Sequence, residues 1–260
     1  NGRPAARASW TWWAYTVIQA VTFDFWQTLM GDTPENLARA TALRIEGVNT
    51  VLARSGQPME TGVLEAAYEA CGHRLRRIWR EHRDLPYREQ VAIFLEAVAP
   101  GLAGRLAPEI FEEVVQAYIT PVLSSPPAPS PGAVEAVNAL ANQGFVLCVV
   151  SNTGRTPGVM LRQVLARYGL LERFCVMSFS DEVGLRKPRP EIFRLTLARA
   201  GLDPARAVHV GDTPEADIAG ARAAGMRAIH FVADGQPGSE AADLVLRDLA
   251  GLPDALDRLL

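Results

Sequence analysis

Ile18-Gln-Ala-Val-Thr-Phe-Asp24-Phe-Trp26-Gln-Thr28-Leu29 is the stretch on which the fold turns. Its first half is rich in strand-favouring residues, and it runs into a carboxylate and then a loop. Ile18 to Asp24 therefore reads as a strand that presents Asp24 at its end. Partners for that strand lie far along the chain. Phe145 to Val150 is apolar throughout, as burial on both faces of a parallel sheet requires. Further strands are expected at Phe174 to Ser178, Ala207 to Val210 and Ala228 to Val232, with Asp243 to Leu246 as a last candidate. Helical stretches alternate with them, including Ala133 to Gln143, Pro190 to Ala200 and Ala216 to Ala224. This alternation predicts an α/β fold, a doubly wound, Rossmann-like parallel sheet with helices on both faces. Ligands in such folds gather beyond the carboxyl ends of the strands.

Between the first strand and the rest, the pattern changes from period two to helical. Leu37, Thr41, Ile45, Val48 and Leu52 share one face, as do Leu64, Ala67, Cys71, Leu75 and Ile78. Val91, Phe94, Leu95 and Val98 form a third stripe, and Ile110, Phe111, Val114, Val115 and Tyr118 a fourth. Gly56-Gln-Pro58, Leu85-Pro86 and Pro100-Gly101 separate them, and Thr33-Pro34 reads as an N-cap with a first-turn proline. We expect an inserted all-helical cap domain at 32–122 and a Rossmann-like core built from 17–31 and 123–260, joined by the proline-rich link Ser124 to Pro131. Residues 1–16 carry Arg3 and Arg7 followed by Trp10, Trp12, Trp13 and Tyr15. The apolar stretch there continues into the first strand, which argues against a cleaved signal; a non-native or disordered extension is expected.

Composition narrows the function. The chain has 260 residues, 48% hydrophobic and 21% charged, with a net charge of -3. That balance creates no field able to recruit nucleic acid or an anionic membrane non-specifically. No apolar run is long enough to span a bilayer. Cys71, Cys148 and Cys175 form no metal or redox motif, so they read as small buried residues of a cytoplasmic protein. The basic run His73 to Arg83 reads as the solvated face of a helix, and His209, between valines, as a satisfied core histidine. His73 and His82 have no matched partners for a site.

Four strand ends carry the chemistry: Asp24 to Leu29, Ser151-Asn152-Thr153, Gly184-Leu-Arg-Lys187-Pro188, and Gly211-Asp212-Thr-Pro-Glu-Ala-Asp217. A doubly wound sheet brings such loops to one crevice. A carboxylate at Asp24 can attack an electrophile and form a covalent intermediate. Asp212 can share a hard cation with it, and oxygen-only ligands suit Mg²⁺. Ser151 and nearby backbone N–H groups, opening a helix, can hold anionic oxygens, and Lys187 adds a point charge.

Taken together and in this order, these motifs resemble those of the haloacid dehalogenase superfamily, from about Ile18 onward, with the helical insert where that family places its cap. The resemblance implies Asp24 as the nucleophile. It implies Mg²⁺ held by Asp24, Asp212 and the backbone carbonyl of Trp26, with Asp217 in support. Thr28, Ser151, Asn152 and Lys187 would hold the transferring phosphoryl group of a small phosphorylated substrate, and the cap would select that substrate.

Trp26 departs from the phosphatase pattern. Phosphatases of the superfamily carry an aspartate there as general acid and base, and losing such a group costs about 10²- to 10⁴-fold. The dehalogenase branch has a tyrosine at that position, and displacing a halide needs no proton donor. The fourth motif, with Asp212 and Asp217, has the metal-binding phosphatase form. Three readings follow: a slow Mg²⁺-dependent phosphatase, a 2-haloacid dehalogenase-type hydrolase, or a catalytically weak protein that acts by binding.

Overall fold

Parallel pairing begins at β1 (Ala20–Phe23), whose Ala20 is in register with both Val146 and Ala207. The computed structural model describes residues 17–232 and 235–259. The expectation for the first sixteen residues, with their three tryptophans, lies outside them.

A short strand β2 (Met30–Gly31) leads into α1 (Pro34–Arg54), α2 (Thr61–Arg80), α3 (Tyr87–Val98), α4 (Leu102–Arg105) and α5 (Pro108–Ile119). The chain returns through β3 (Ala128–Pro129), which pairs antiparallel with β2, so the two crossings between insert and sheet are stitched together. Then follow α6 (Ala133–Asn142), β4 (Val146–Ser151), α7 (Gly158–Arg167), β5 (Val176–Phe179), α8 (Ser180–Val183) and α9 (Pro190–Arg199). β6 (Ala207–Gly211), α10 (Gly220–Ala224), β7 (Arg227–Phe231), β8 (Leu244–Leu246) and α11 (Leu252–Leu256) complete the order. The sheet runs β5-β4-β1-β6-β7-β8, all parallel, with β1 inside it. The chain builds outward on one side of β1, then crosses to the other. Asp24 thus stands at the switch point, between the ends of β4 and β6.

Local chemistry explains the elements. Val208, Val210, Val149 and Phe23 are wholly buried, as strands covered on both faces must be. Thr33 caps α1 by accepting from the Asn36 N–H at 3.2 Å, and Pro34 occupies the first turn. The four expected stripes become α1, α2, α3 and α5, with Val48, Leu52, Leu64, Leu75, Phe94 and Val114 fully buried.

Some expectations change. Leu37, assigned to the α1 core stripe, is 54% exposed. Cys71 and Cys148 are buried as expected, but Cys175 is exposed. The helix expected from Ala216 begins at Pro214 as a π-helical turn, Pro214–Ala219, and becomes α-helical only at Gly220. Ser151 does not open a helix, because six residues separate it from α7.

Insert and sheet also meet away from the two crossings. Arg83 bridges to Leu185; Asp84 N–H donates to the Gly184 carbonyl at 3.2 Å, and Arg186 N–H to that of His82 at 3.1 Å. The buried Asp84 carboxylate accepts from Arg186 Nη1 and from Ser180 Oγ, both at 2.5 Å.

Candidate active site

Each strand end delivers one part of the site. Asp24 follows β1, Ser151 ends β4, Gly211 ends β6 with Asp212 next, and Lys187 comes from the loop before α9. Lys187 is the hub. Its Nζ lies 2.7 Å from Asp24 Oδ1 and 2.5 Å from Asp217 Oδ1. Asn152 fixes the lysine backbone from both sides: Lys187 N–H donates to Asn152 Oδ1 at 2.8 Å, and Asn152 Nδ2 donates to the Lys187 carbonyl at 3.0 Å.

Asp217 is fully enclosed. Its Oδ2 accepts from Thr213 N–H at 2.9 Å, and its Oδ1 lies 3.1 Å from His209 Nε2. His209 is in turn 2.8 Å from Thr22 Oγ1. The core histidine is thus satisfied, as its strand position predicts, yet one of its partners is a carboxylate of the site. Gly211 makes this packing possible, since a Cβ there would overlap Cβ and Cγ of Asp217.

The charges compete. Oxygens of Asp24, Asp212 and Asp217 all lie within 4.8 Å of one another, and a single ammonium faces them. Burial pushes Asp217 up, but the Lys187 charge and the His209 contact outweigh it and hold the carboxyl below its usual range. Burial raises Asp24, and Lys187 only partly offsets this because it also serves Asp217. Asp212 is pushed up to about 7, first by burial and then by the Asp24 charge. Burial would pull Lys187 down, but the two carboxylates keep its ammonium above the ordinary range.

Two hydroxyls add to this picture. Among the described residues Thr28 Oγ1 and Ser151 Oγ are buried without a hydrogen-bond partner, and Ser151 lies near enough to Asp24 to draw its carboxyl down. Buried polar atoms are rarely left so, and oxygens of a bound anion would satisfy them. The carboxylates of Asp24 and Asp212 and the Trp26 carbonyl, which accepts no hydrogen bond among the described residues, form a hard, all-oxygen donor set. That chemistry fits Mg²⁺. Both oxygens of Asp217 are already engaged, so its place is behind the donor set.

Asp24, Ser151, Asn152, Lys187, Asp212 and Asp217 thus gather around one crevice, with Trp26 on the cavity beside it and Thr28 buried in the loop after β1. Sequence reasoning missed what lies next to it. A cavity of about 390 Å³ reaches from Trp26 and Asn152 to the helical insert, and its lining includes Arg44, Tyr68, Arg155 and Arg186. Only the arginines at 155 and 186, beside Ser151-Asn152 and Lys187, carried any signal of it.

Residues 18–225 match the family model of the haloacid dehalogenase-like hydrolases. A phosphoserine phosphatase of Thermus thermophilus is 33% identical over 82% of this chain and 88% of its own length. The crystal structure of a 2-haloacid dehalogenase from Pseudomonas syringae superposes with a TM-score of 0.67 at 27% identity, covering 94% of this chain and 100% of that one. A phosphatase of the same superfamily from Thermococcus onnurineus gives a TM-score of 0.58 at 26% identity, covering 92% and 98%. With the family model spanning most of its length, this chain belongs to the haloacid dehalogenase-like hydrolases.

Proposed function

We propose that this protein is a Mg²⁺-dependent phosphatase of small phosphorylated molecules, slow because Trp26 replaces the general acid and base. The observation that carries the reading is the crowding of three carboxylates around one lysine. Displacing a halide gives no reason for that excess of negative charge, whereas a divalent cation held by these carboxylates would neutralise it and supply positive charge for a phosphoryl group.

In this reading the Asp24 carboxylate attacks phosphorus. A bond from Asp24 oxygen to phosphorus forms, the bond from phosphorus to the leaving oxygen breaks, and an aspartyl-phosphate results. Trp26 has no proton to give, so the leaving oxygen draws one from solvent. Water then attacks phosphorus, the bond to Asp24 breaks, and phosphate departs with the carboxylate restored. Lys187, Thr28 and Ser151 hold phosphoryl oxygens, Asn152 fixes Lys187 in place, and Asp217 with His209 behind it fixes the ammonium. Asp24, Asp212 and the Trp26 carbonyl would hold Mg²⁺, which supplies charge neutralisation. Residues 32–122 act as a cap domain over this crevice. The phosphatase relative supports a phosphorylated substrate, and a cytoplasmic setting fits the unpaired cysteines.

One observation favours a second reading. Trp26 presents an aromatic wall to the cavity, and the 2-haloacid dehalogenase is 27% identical. Phosphate release from aryl and acyl phosphates, with and without Mg²⁺, is to be measured beside halide release from 2-haloacids. Mg²⁺-dependent phosphate release, faster for better leaving groups, is the expected result. Halide release without metal, and no phosphate release, would sink the phosphatase reading.

A further inference from the structure

We propose that the cavity beside Trp26 is a second anion subsite, built around Arg44 and Arg155, which holds a negatively charged group on the leaving-group end of the substrate. Assigning that group to a phosphate ester rests on the phosphatase reading; the subsite itself rests on its own residues.

Arg44 comes from α1 and is 3% exposed; Arg155 comes from the loop after β4 and is half-buried. Both heads are held in place. Arg44 donates from Nε to the Tyr118 carbonyl at 2.6 Å and from Nη1 to Tyr68 Oη at 2.9 Å. Arg155 donates from Nη1 to Tyr118 Oη at 2.5 Å and from Nη2 to the Tyr68 carbonyl at 2.9 Å. Their guanidinium carbons lie 5.8 and 4.1 Å from the centre of the Tyr68 ring.

All these partners are neutral. Among the described residues no carboxylate pairs with either arginine, whereas Arg186, on the same cavity, is ion-paired with Asp84. Neutral acceptors and ring faces orient a guanidinium without cancelling its charge, and a buried charge with no counter-charge is costly. Planar forks fixed in this way suit a carboxylate or a phosphoryl group.

Gly72 gives an independent sign that the arrangement is built. It sits inside α2, where glycine disfavours the helix. A Cβ there would come within 2.7 Å of Arg155 Nη2, so the helix leaves a notch for that head. The cavity is also lined by Trp26, two residues after Asp24, and by Asn152, which holds the Lys187 backbone, so it lies beside the crevice, and the proposal places one end of a small molecule at Asp24 and the other at the arginines. The substrate class that fits is a small phosphate monoester whose alcohol part carries a carboxylate or a second phosphoryl group.

The test is titration calorimetry on the full chain with Mg²⁺. The probes are three non-hydrolysable phosphonates of matched length: propylphosphonate, β-phosphonopropionate and ethylene bisphosphonate. Succinate, which needs no phosphoryl site, is the fourth. The expected result is that an anionic tail tightens binding about tenfold or more over propylphosphonate, and the tighter of the two anionic tails identifies the group. That ratio should fall several-fold in Arg155→Gln. It should also fall in Gly72→Ala, which keeps both charges, displaces one, and serves if the first variant does not fold. Equal binding of all three phosphonates by the native protein, or a ratio unchanged in both variants, overturns the subsite. If propylphosphonate does not bind but succinate binds in an Arg155-dependent way, the phosphatase reading fails and the subsite stands.

Discussion

Lys187→Met keeps the length of the side chain and removes its charge. In the native protein the Lys187 side chain is 1% exposed and touches Asp24, 10% exposed, and Asp217, 0% exposed. Taking one partner out of a buried ion pair leaves an uncompensated charge and costs about 3–5 kcal/mol. Here one cation serves two carboxylates, so the upper end, about 5 kcal/mol near neutrality, is expected. The sign of the pH dependence follows from the direction of each shift. Asp217 is held below its usual range by Lys187. A carboxyl depressed in the folded state adds stability above its unfolded value, and that stability is lost on acidification. Without Lys187, burial is opposed only by the His209 and Thr213 contacts at Asp217 and by Ser151 at Asp24, so both carboxyls should rise, and protonation then relieves the strain instead of causing it. The deficit of the variant should therefore be largest near neutrality and clearly smaller at about pH 5. Urea unfolding of both proteins in EDTA at the two pH values measures it. A deficit under about 1 kcal/mol near neutrality, or the same deficit at both pH values, would refute the assignment of Lys187 as the counter-charge of a buried pair.

Three further outcomes are expected. Trp26→Asp should raise phosphate release from alkyl phosphates by about a hundredfold, within the 10²- to 10⁴-fold range of a general acid. If that variant folds and binds Mg²⁺ but gains nothing, the missing acid is not what slows the enzyme. Burial and the Asp24 charge push Asp212 up to about 7, so Mg²⁺ binding below that pH should displace a proton. Its affinity by calorimetry should rise about tenfold per pH unit up to about pH 7 and then level, and a flat profile would contradict the raised Asp212 carboxyl. Gly211→Ala should drive the Asp217 carboxylate off Lys187 and lower phosphate release by at least about tenfold, with a loss of about 3 kcal/mol in urea unfolding. A fully active, equally stable variant would show that Asp217 can shift without consequence.

The sheet was legible because a buried parallel strand leaves a local trace. Val146 to Ser151 and Ala207 to Gly211 are recognisable from a few residues each. The same holds for Asp24, Ser151 and Asp212, which each sit at or just beyond such a trace, whereas Lys187 lies eight residues past β5, beyond α8. What stayed hidden depends on distance along the chain. Arg44 and Arg155 meet only because α1 and the loop after β4 converge on Tyr68 and Tyr118. Taken alone, Arg44 is an ordinary charge on a helix. Leu37 fits the period of the α1 core stripe, but it lies in the first turn and lines the cavity, so periodicity assigned it to the wrong side. β2 and β3 are two residues each, too short for any pattern, and exist because the two crossings run side by side. The π-helical turn reflects the need of Asp217 to reach back to Thr213 N–H, a demand of the site that no helix propensity encodes.

The loop at 184–188 ties two jobs to one short piece of chain. Gly184, Leu185 and Arg186 clasp the helical insert through His82, Arg83 and Asp84, and the next residue is Lys187. Any rocking of the insert is therefore felt one peptide away from the ammonium that balances Asp24. This makes the insert a poor interchangeable module. Grafting a foreign one between residues 31 and 123 would leave Arg186 without Asp84, its counter-charge, and with only Thr153 and Ser180 to hold its guanidinium, and would slacken the lysine beside it, even if both crossings joined without a gap.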